Sequence, residues 1–157
     1  RDGAKFNVIA GASLIAATSR CSGDPPITCR SPSMIAAARL GWGPLRAYDF
    51  DPLAVTASME NAAANGVSLG VEKLDVRADA DGLPPLAATV FANIMRPQLL
   101  DMAAQIPDGH GIRDIVLSGL LDEEADEIAA AYAAHGLIEV ARNSEGGWTG
   151  LRLAASD

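Results

Sequence analysis

The sequence predicts an α/β fold: a mostly parallel sheet covered by helices and finished by a C-terminal antiparallel hairpin. Three observations predict it. Short apolar runs alternate with alanine-rich helical segments along most of the chain, an order that yields parallel strands joined by helical crossovers. One of these runs ends in an acid and is followed by a proline that opens a helix, in Leu45-Arg-Ala-Tyr-Asp-Phe-Asp-Pro52. The last two runs are separated by Asn143-Ser-Glu-Gly146, a turn composition that pairs neighbouring strands antiparallel.

The elements follow in order. Residues 33–41 read as a helix that stops at Gly41, a natural C-cap. Residues 45–48 read as a strand. Residues 52–65 form a helix with Pro52 at its first position and Asp51 as N-cap, carrying apolar side chains at Leu53, Val55, Ala57 and Met59 and closing at Asn65-Gly66. A strand falls within 67–76, and the Asp, Gly and Pro content of 79–85 marks a loop. Residues 87–92 are a short buried strand, 97–106 a helix, 107–111 a turn and 114–118 a strand. An acid-rich helix spans 121–135 and ends at Gly136, with Asp122-Glu-Glu124 suited to its first turn. Residues 137–142 and 147–153 are the hairpin strands. No first strand is recognisable before residue 33, because Pro25-Pro26 interrupts any run there.

Composition bounds the function. With 157 residues and a 49% apolar fraction, the chain is long enough for one domain with a substantial core. A net charge of −8 argues against a nucleic-acid-binding surface and is compatible with a basic protein partner. No apolar run approaches the ~20 residues of a membrane span. The two cysteines, Cys21 and Cys29, stand in no metal-ligand spacing with His110 and His135, so free thiols in a reducing cytoplasm are expected and no metal site is. The opening Arg-Asp-Gly carries no signal-peptide pattern and reads as part of a longer parent. Trp42 and Trp148 are expected to be packing residues and His110 a loop residue. No Ser/His/Asp or Cys/His constellation is present.

Asp49 is the leading site candidate. A carboxylate at the tip of a second strand offers two acceptor oxygens to the paired hydroxyls of a ribose. The alternative is that Asp49 and Asp51 are ordinary turn and cap residues. Asp75 and Asn93 also fall at strand ends, where open parallel sheets bind ligands.

A parallel sheet with a terminal hairpin resembles the Rossmann-like sheet of class I S-adenosylmethionine methyltransferases. Four blocks narrow the resemblance. Residues 35–66, from Ile35-Ala-Ala-Ala-Arg-Leu-Gly through Asp49-Phe-Asp-Pro to Glu60-Asn-Ala-Ala-Ala-Asn-Gly66, resemble the segment after the cofactor loop in the ribosomal protein L-eleven methyltransferases. Ala92-Asn-Ile-Met-Arg-Pro-Gln-Leu-Leu100 is similar to that family's Ala-Asn-Ile-Leu signature. Residues 117–136, from Leu117-Ser-Gly-Leu-Leu-Asp-Glu-Glu-Ala-Asp126 onward to His135-Gly136, resemble its next block, and the Glu145-Gly-Gly-Trp148 hairpin also fits.

The resemblance implies an S-adenosylmethionine-dependent enzyme that methylates an amino group of a ribosomal protein, with no direct nucleic-acid or membrane partner. It implies that Asp49 binds the ribose and that Asn93 lies beside the methyl-donor pocket as the catalytic residue. Thr18 matches a threonine after the family's Gly-Thr-Gly-x-His loop, although Ser13 and Ile15 stand where that loop has its second glycine and its histidine. Asp75 lies where such enzymes place an acid near the adenine; otherwise it is a solvated loop residue. The family's N-terminal substrate-recognition domain has no counterpart in this chain.

The departure from the family is concentrated in 21–33. Glycines are needed beside the donor so that backbone N–H groups can approach it, yet Arg30 and Pro32 stand where glycines belong. The expectation is an irregular N-terminal part over 1–33 and, at 22–33, a segment that holds no ordered donor. That feature separates the enzyme from the alternative, a non-catalytic binding or scaffold module of the same fold. A nicotinamide-dependent dehydrogenase would share Asp49 but needs Gly-x-Gly-x-x-Gly, and nothing in 92–120 resembles a hydride-transfer site.

Overall fold

The structure, a computed structural model, describes residues 6–10, 32–77 and 82–156. Its elements are β1 (Phe6–Ala10), α1 (Pro32–Arg39), β2 (Leu45–Asp49), α2 (Pro52–Ala64), β3 (Gly70–Lys73), β4 (Thr89–Asn93), α3 (Arg96–Ala104), β5 (Asp114–Leu121), a 3-10 turn (Asp122–Glu124), α4 (Ala125–Ala133), β6 (Leu137–Glu145) and β7 (Trp148–Ala155). The strands make one seven-stranded sheet in the order β3-β2-β1-β4-β5-β7-β6. The pairings β1–β2, β1–β4, β2–β3 and β4–β5 are parallel, and β7 runs antiparallel to both β5 and β6. The expected fold class, a mostly parallel sheet ending in an antiparallel hairpin, is the one observed.

The first strand is where the sequence reading found none. β1 lies at Phe6–Ala10, well upstream of Pro25-Pro26, and occupies the middle of the sheet. Residues 11–31 connect it to α1. Of the irregular segment expected at 22–33, Pro32 and Ser33 instead begin α1, and 22–31 lie outside the described residues, as do Thr18 and Cys21. Pro32 opens α1, where the ladder needs no N–H. The loop residues 78–81 are likewise outside the described ones.

Successive strand residues point to opposite faces, and the two faces carry separate cores. On one, Met34 of α1 meets Leu45 and Ala47 of β2. On the other, Val90 and Ala92 of β4 and Ile115, Leu117 and Leu120 of β5 meet Leu99 and Met102 of α3 and Ile128 and Tyr132 of α4. The buried Tyr132 hydroxyl donates to the Leu99 carbonyl at 3.1 Å and so ties α4 to α3.

α2 starts as expected: Asp51 caps it by accepting the Leu53 N–H at 2.9 Å, and Pro52 is its first residue. Its buried face differs from the apolar positions read in the sequence. Leu53 and Met59 are exposed, and Ala54, Ser58 and Ala62 are buried. Those three recur every four residues along one helix face, and their small side chains suit close packing on the sheet.

Two boundaries in the C-terminal half also move. β5 continues to Leu121, past the expected end at residue 118, because a bulge between Leu117 and Leu120 re-forms its pairing with β7. The acids at 122–124 then form the 3-10 turn, in which the Glu124 carboxylate accepts the Leu121 N–H at 2.9 Å. The hairpin turn is Gly146-Gly147, flanked by the pair Glu145 and Trp148. Both glycines have positive φ, 60° and 85°, as a two-residue type I′ turn requires.

Trp42 and Trp148, expected in packing roles, are 41% and 57% exposed. His110 does more than fill a loop. Its Nδ1 accepts the Ile112 N–H at 2.9 Å, which leaves the proton on Nε2 to donate to the His135 carbonyl at 3.1 Å, so the imidazole staples the loop before β5 to the end of α4.

Candidate functional site

The parallel strands end in register. Ala10 of β1 pairs with Asp49 of β2 on one side and Asn93 of β4 on the other, Asp49 pairs with Lys73 of β3, and Asn93 with Ser118 of β5. Consecutive strands β1, β2 and β3 run one way across the sheet, and β4 and β5 run the other way from β1. The order therefore reverses beside β1, and open α/β sheets hold ligands at the carboxyl ends of the strands at such a point. Asp49 and Asn93 flank that point.

Asp49 is buried, 6% exposed, at the last position of β2. Its Oδ1 accepts the Asp51 N–H at 3.0 Å, which orients the carboxylate against the turn into α2. A carboxylate has about four acceptor positions, so a backbone N–H and two ligand hydroxyls are compatible on one group.

Asn93 ends β4 half-buried. Gly119, in the β5 bulge, fixes its surroundings. At φ +85° this residue leaves no room for a side chain: a Cβ would stand 2.8 Å from the Ile94 carbonyl oxygen and 3.2 Å from Asn93 Oδ1. Sequence reasoning missed Gly119, although a glycine inside an apolar strand is itself a signal of a bulge or a close approach.

Next to this rim lies a cleft of about 590 Å³. Phe50, Leu74 and Ile94, the residues that directly follow β2, β3 and β4, contribute to its lining together with Asp75, Val76 and Gln98. The structure thus brings Asp75 to the cleft, with Oδ1 accepting the Arg77 N–H at 3.0 Å. Gln105 holds one wall, its Nε2 donating to the Val76 carbonyl at 2.8 Å and the Asp101 carbonyl at 3.0 Å. Gln98, also unforeseen, turns its side chain to the same wall, and its buried Oε1 has no hydrogen-bond partner among the described residues.

An acid on a buried strand tip, an apolar and aromatic slot and an orphaned amide oxygen fit the ribose and base of a nucleoside. The residues that would meet the rest of such a ligand, between β1 and α1, are not among those described. Among the described residues no three His, Cys, Asp or Glu side chains converge to hold a metal ion, and no helix is long and apolar enough to cross a membrane.

The strand order, the antiparallel final strand and the rim at the switch point define the class I methyltransferase fold. Solved structures agree. A ribosomal protein L11 methylase from Lactobacillus delbrueckii subsp. bulgaricus superposes with a TM-score of 0.74 at 24% identity, covering 99% of this chain and 71% of its own. A methyltransferase from Pyrococcus furiosus gives 0.62 at 11% identity, covering 99% of this chain and 77% of its own. The chain belongs to the family described as ribosomal protein L11 methyltransferase (PrmA), which it matches over residues 33–155.

Similar curated proteins carry the same description. The ribosomal protein L11 methyltransferase of Brucella suis is 37% identical over 131 residues, 76% of this chain and 43% of the relative. That of Bordetella parapertussis is 37% identical over 115 residues, 71% of this chain and 35% of the relative. The chain thus spans less than half the length of these curated relatives.

Proposed function

We propose that this domain binds S-adenosylmethionine and methylates an amino group of a ribosomal protein, as the names of its relatives suggest, in the cytoplasm. The observation that carries the proposal is the alignment of Asp49 and Asn93 on either side of Ala10, at the reversal point of the sheet and beside a nucleoside-sized cleft. In this reading the Asp49 carboxylate accepts hydrogen bonds from both ribose hydroxyls. Phe50 and Ile94 offer apolar surface to the faces of the base, and Asp75 lies near the adenine. Thr18 belongs to the same proposed donor site by family resemblance.

The donor, when bound, would supply a sulfonium methyl group that passes in line to a neutral amine, with the thioether S-adenosylhomocysteine leaving and the amine's surplus proton released to solvent. That chemistry asks the protein for positioning more than for a strong base. The Asn93 side-chain carbonyl accepts a hydrogen bond from the incoming amine and so directs its lone pair. Gly119 keeps the space behind Asn93 clear, so the amide holds one orientation.

A second reading, the non-catalytic module, has its own observation. The 21 residues between β1 and α1 carry only Gly11 and Gly23, together with Pro25 and Pro26, in the stretch where backbone donors would meet the ligand. Titration calorimetry of S-adenosylmethionine into the chain, paired with methylation of purified ribosomal protein L11, separates the two. The enzyme reading expects saturable donor binding, and expects Asn93→Ala to bind donor but lose turnover. No binding by the wild-type chain supports the module; methylation unchanged in Asn93→Ala removes Asn93 from the mechanism.

A further inference from the structure

Two buried side-chain polar atoms among the described residues lack a hydrogen-bond partner: the Tyr48 hydroxyl and Gln98 Oε1. Tyr48 belongs to the core beneath the sheet, whereas Gln98 lines the cleft. Gln105, about two helical turns beyond, lines the same side of the cleft. The Gln105 amide is committed to two backbone carbonyls and holds the wall together. Gln98 Oε1 has no hydrogen-bond partner among the described residues, and a buried acceptor left unmade is destabilising.

We propose that Gln98 is a specificity-determining residue that reads the edge of an adenine ring through its side-chain amide; the inference rests on the donor-site reading above. A primary amide presents an acceptor and a donor side by side in one plane. The adenine edge presents the complement, an exocyclic amine beside a ring nitrogen acceptor, and glutamine pairs with it through two parallel hydrogen bonds. The 6-amino group supplies the donor that Oε1 lacks, while Nε2 donates to the ring nitrogen. The terminal torsion of glutamine is soft, so the amide turns into register without moving α3. The ligand thus completes a hydrogen bond that the free protein forgoes, and a purine without the 6-amino group leaves Oε1 orphaned.

The test compares two probes, S-adenosylhomocysteine and its analogue whose purine lacks the 6-amino group, by calorimetry on the wild-type chain and on Gln98→Leu, with thermal melts of both unliganded proteins. The wild type should prefer the adenine probe by about tenfold, the worth of one buried hydrogen bond. Gln98→Leu should bind both probes equally, and should melt no lower than wild type because an unpaired acceptor has gone. Should the leucine variant not fold, Gln98→Met carries the same comparison. A variant that keeps the wild-type preference, or that melts several degrees lower, overturns the inference while leaving the donor site standing. A wild-type chain that binds neither probe overturns the donor-site reading and this inference with it.

Discussion

Gly119 is packed against Asn93 so closely that a methyl group on its α-carbon would stand 3.2 Å from Asn93 Oδ1, and closer still, 2.8 Å, to the neighbouring Ile94 carbonyl oxygen. Contact at 2.8 Å cannot be relieved by a rotamer change because the obstacle is backbone. Gly119→Ala should therefore combine the strain of a left-handed conformation, about 1–2 kcal/mol, with overpacking of about 1–3 kcal/mol. Urea unfolding should show a loss of roughly 2–5 kcal/mol. A loss below about 0.5 kcal/mol would mean that the β5 bulge relaxes freely and does not fix Asn93.

Asp49→Ala should weaken S-adenosylhomocysteine binding tenfold to several hundredfold, because each hydrogen bond from a ribose hydroxyl to a carboxylate is worth about 1.5–3 kcal/mol. Asp49→Asn separates ligand from fold: it keeps an acceptor for the Asp51 N–H and gives up the charge. Calorimetry on both variants, at matched thermal stability, decides the matter; equal affinity in wild type and Asp49→Ala would move the ligand away from β2.

Burial raises the Tyr132 hydroxyl above the ordinary tyrosine range. An acid whose folded pKa is raised contributes stability that is complete below its unfolded pKa, about 10, and is lost as the pH climbs from there towards the folded value. Tyr132→Phe should cost about 0.5–1.5 kcal/mol at neutral pH through the lost bond to Leu99. Above pH 10 the variant should lose less stability than the wild type. Urea melts at pH 8 and pH 11 measure both effects, and parallel losses in the two proteins would contradict the burial argument.

Glu127 responds in the opposite sense. Its bidentate hydrogen bonds from Arg96, at 2.6 and 2.7 Å, hold its carboxyl below the usual carboxylate range. The stability it contributes is present above the unfolded pKa and disappears as the pH falls through the lower folded one. Glu127→Gln should therefore differ from wild type at pH 7 and converge with it in acid, and added salt should shrink the neutral-pH difference because the pair is exposed. A difference that persists unchanged at pH 2 would show that packing between α3 and α4, rather than charge, is what the residue supplies.

Helix starts and stops were legible in the sequence because they depend on local chemistry: Pro52 behind Asp51 for α2, Gly41 after α1, Gly136 after α4. Asp49 was legible for the same reason, as an acid at the tip of a short apolar run. The buried face of α2 was not. Leu53, Val55, Ala57 and Met59 are spaced by two residues, which is no helical period, and the sheet selected the row Ala54, Ser58 and Ala62 instead. β1 has a weak signature because five residues with Asn7 among them make a short apolar run, and because it lies far upstream of α1 instead of directly before it. Gly119 and Gln98 owe their importance to neighbours 26 and 48 positions away, Asn93 and Phe50, the kind of relationship that only tertiary structure creates.

Lys73, Asp49, Ala10, Asn93 and Ser118 form a single rank across five strands. Side chains on a strand alternate faces, so inserting or deleting one residue within β4 would not merely lengthen or shorten it. The change would shift Asn93 by about 3.3 Å and turn it through the sheet to the side opposite its present neighbours. Length variation is tolerable in the loops that enter the strands, such as 107–113 before β5, where extra residues leave the rank in step. Within β2 and β4 the chain has no such latitude, and an insertion there should uncouple Asp49 from Asn93 even in a protein that still folds.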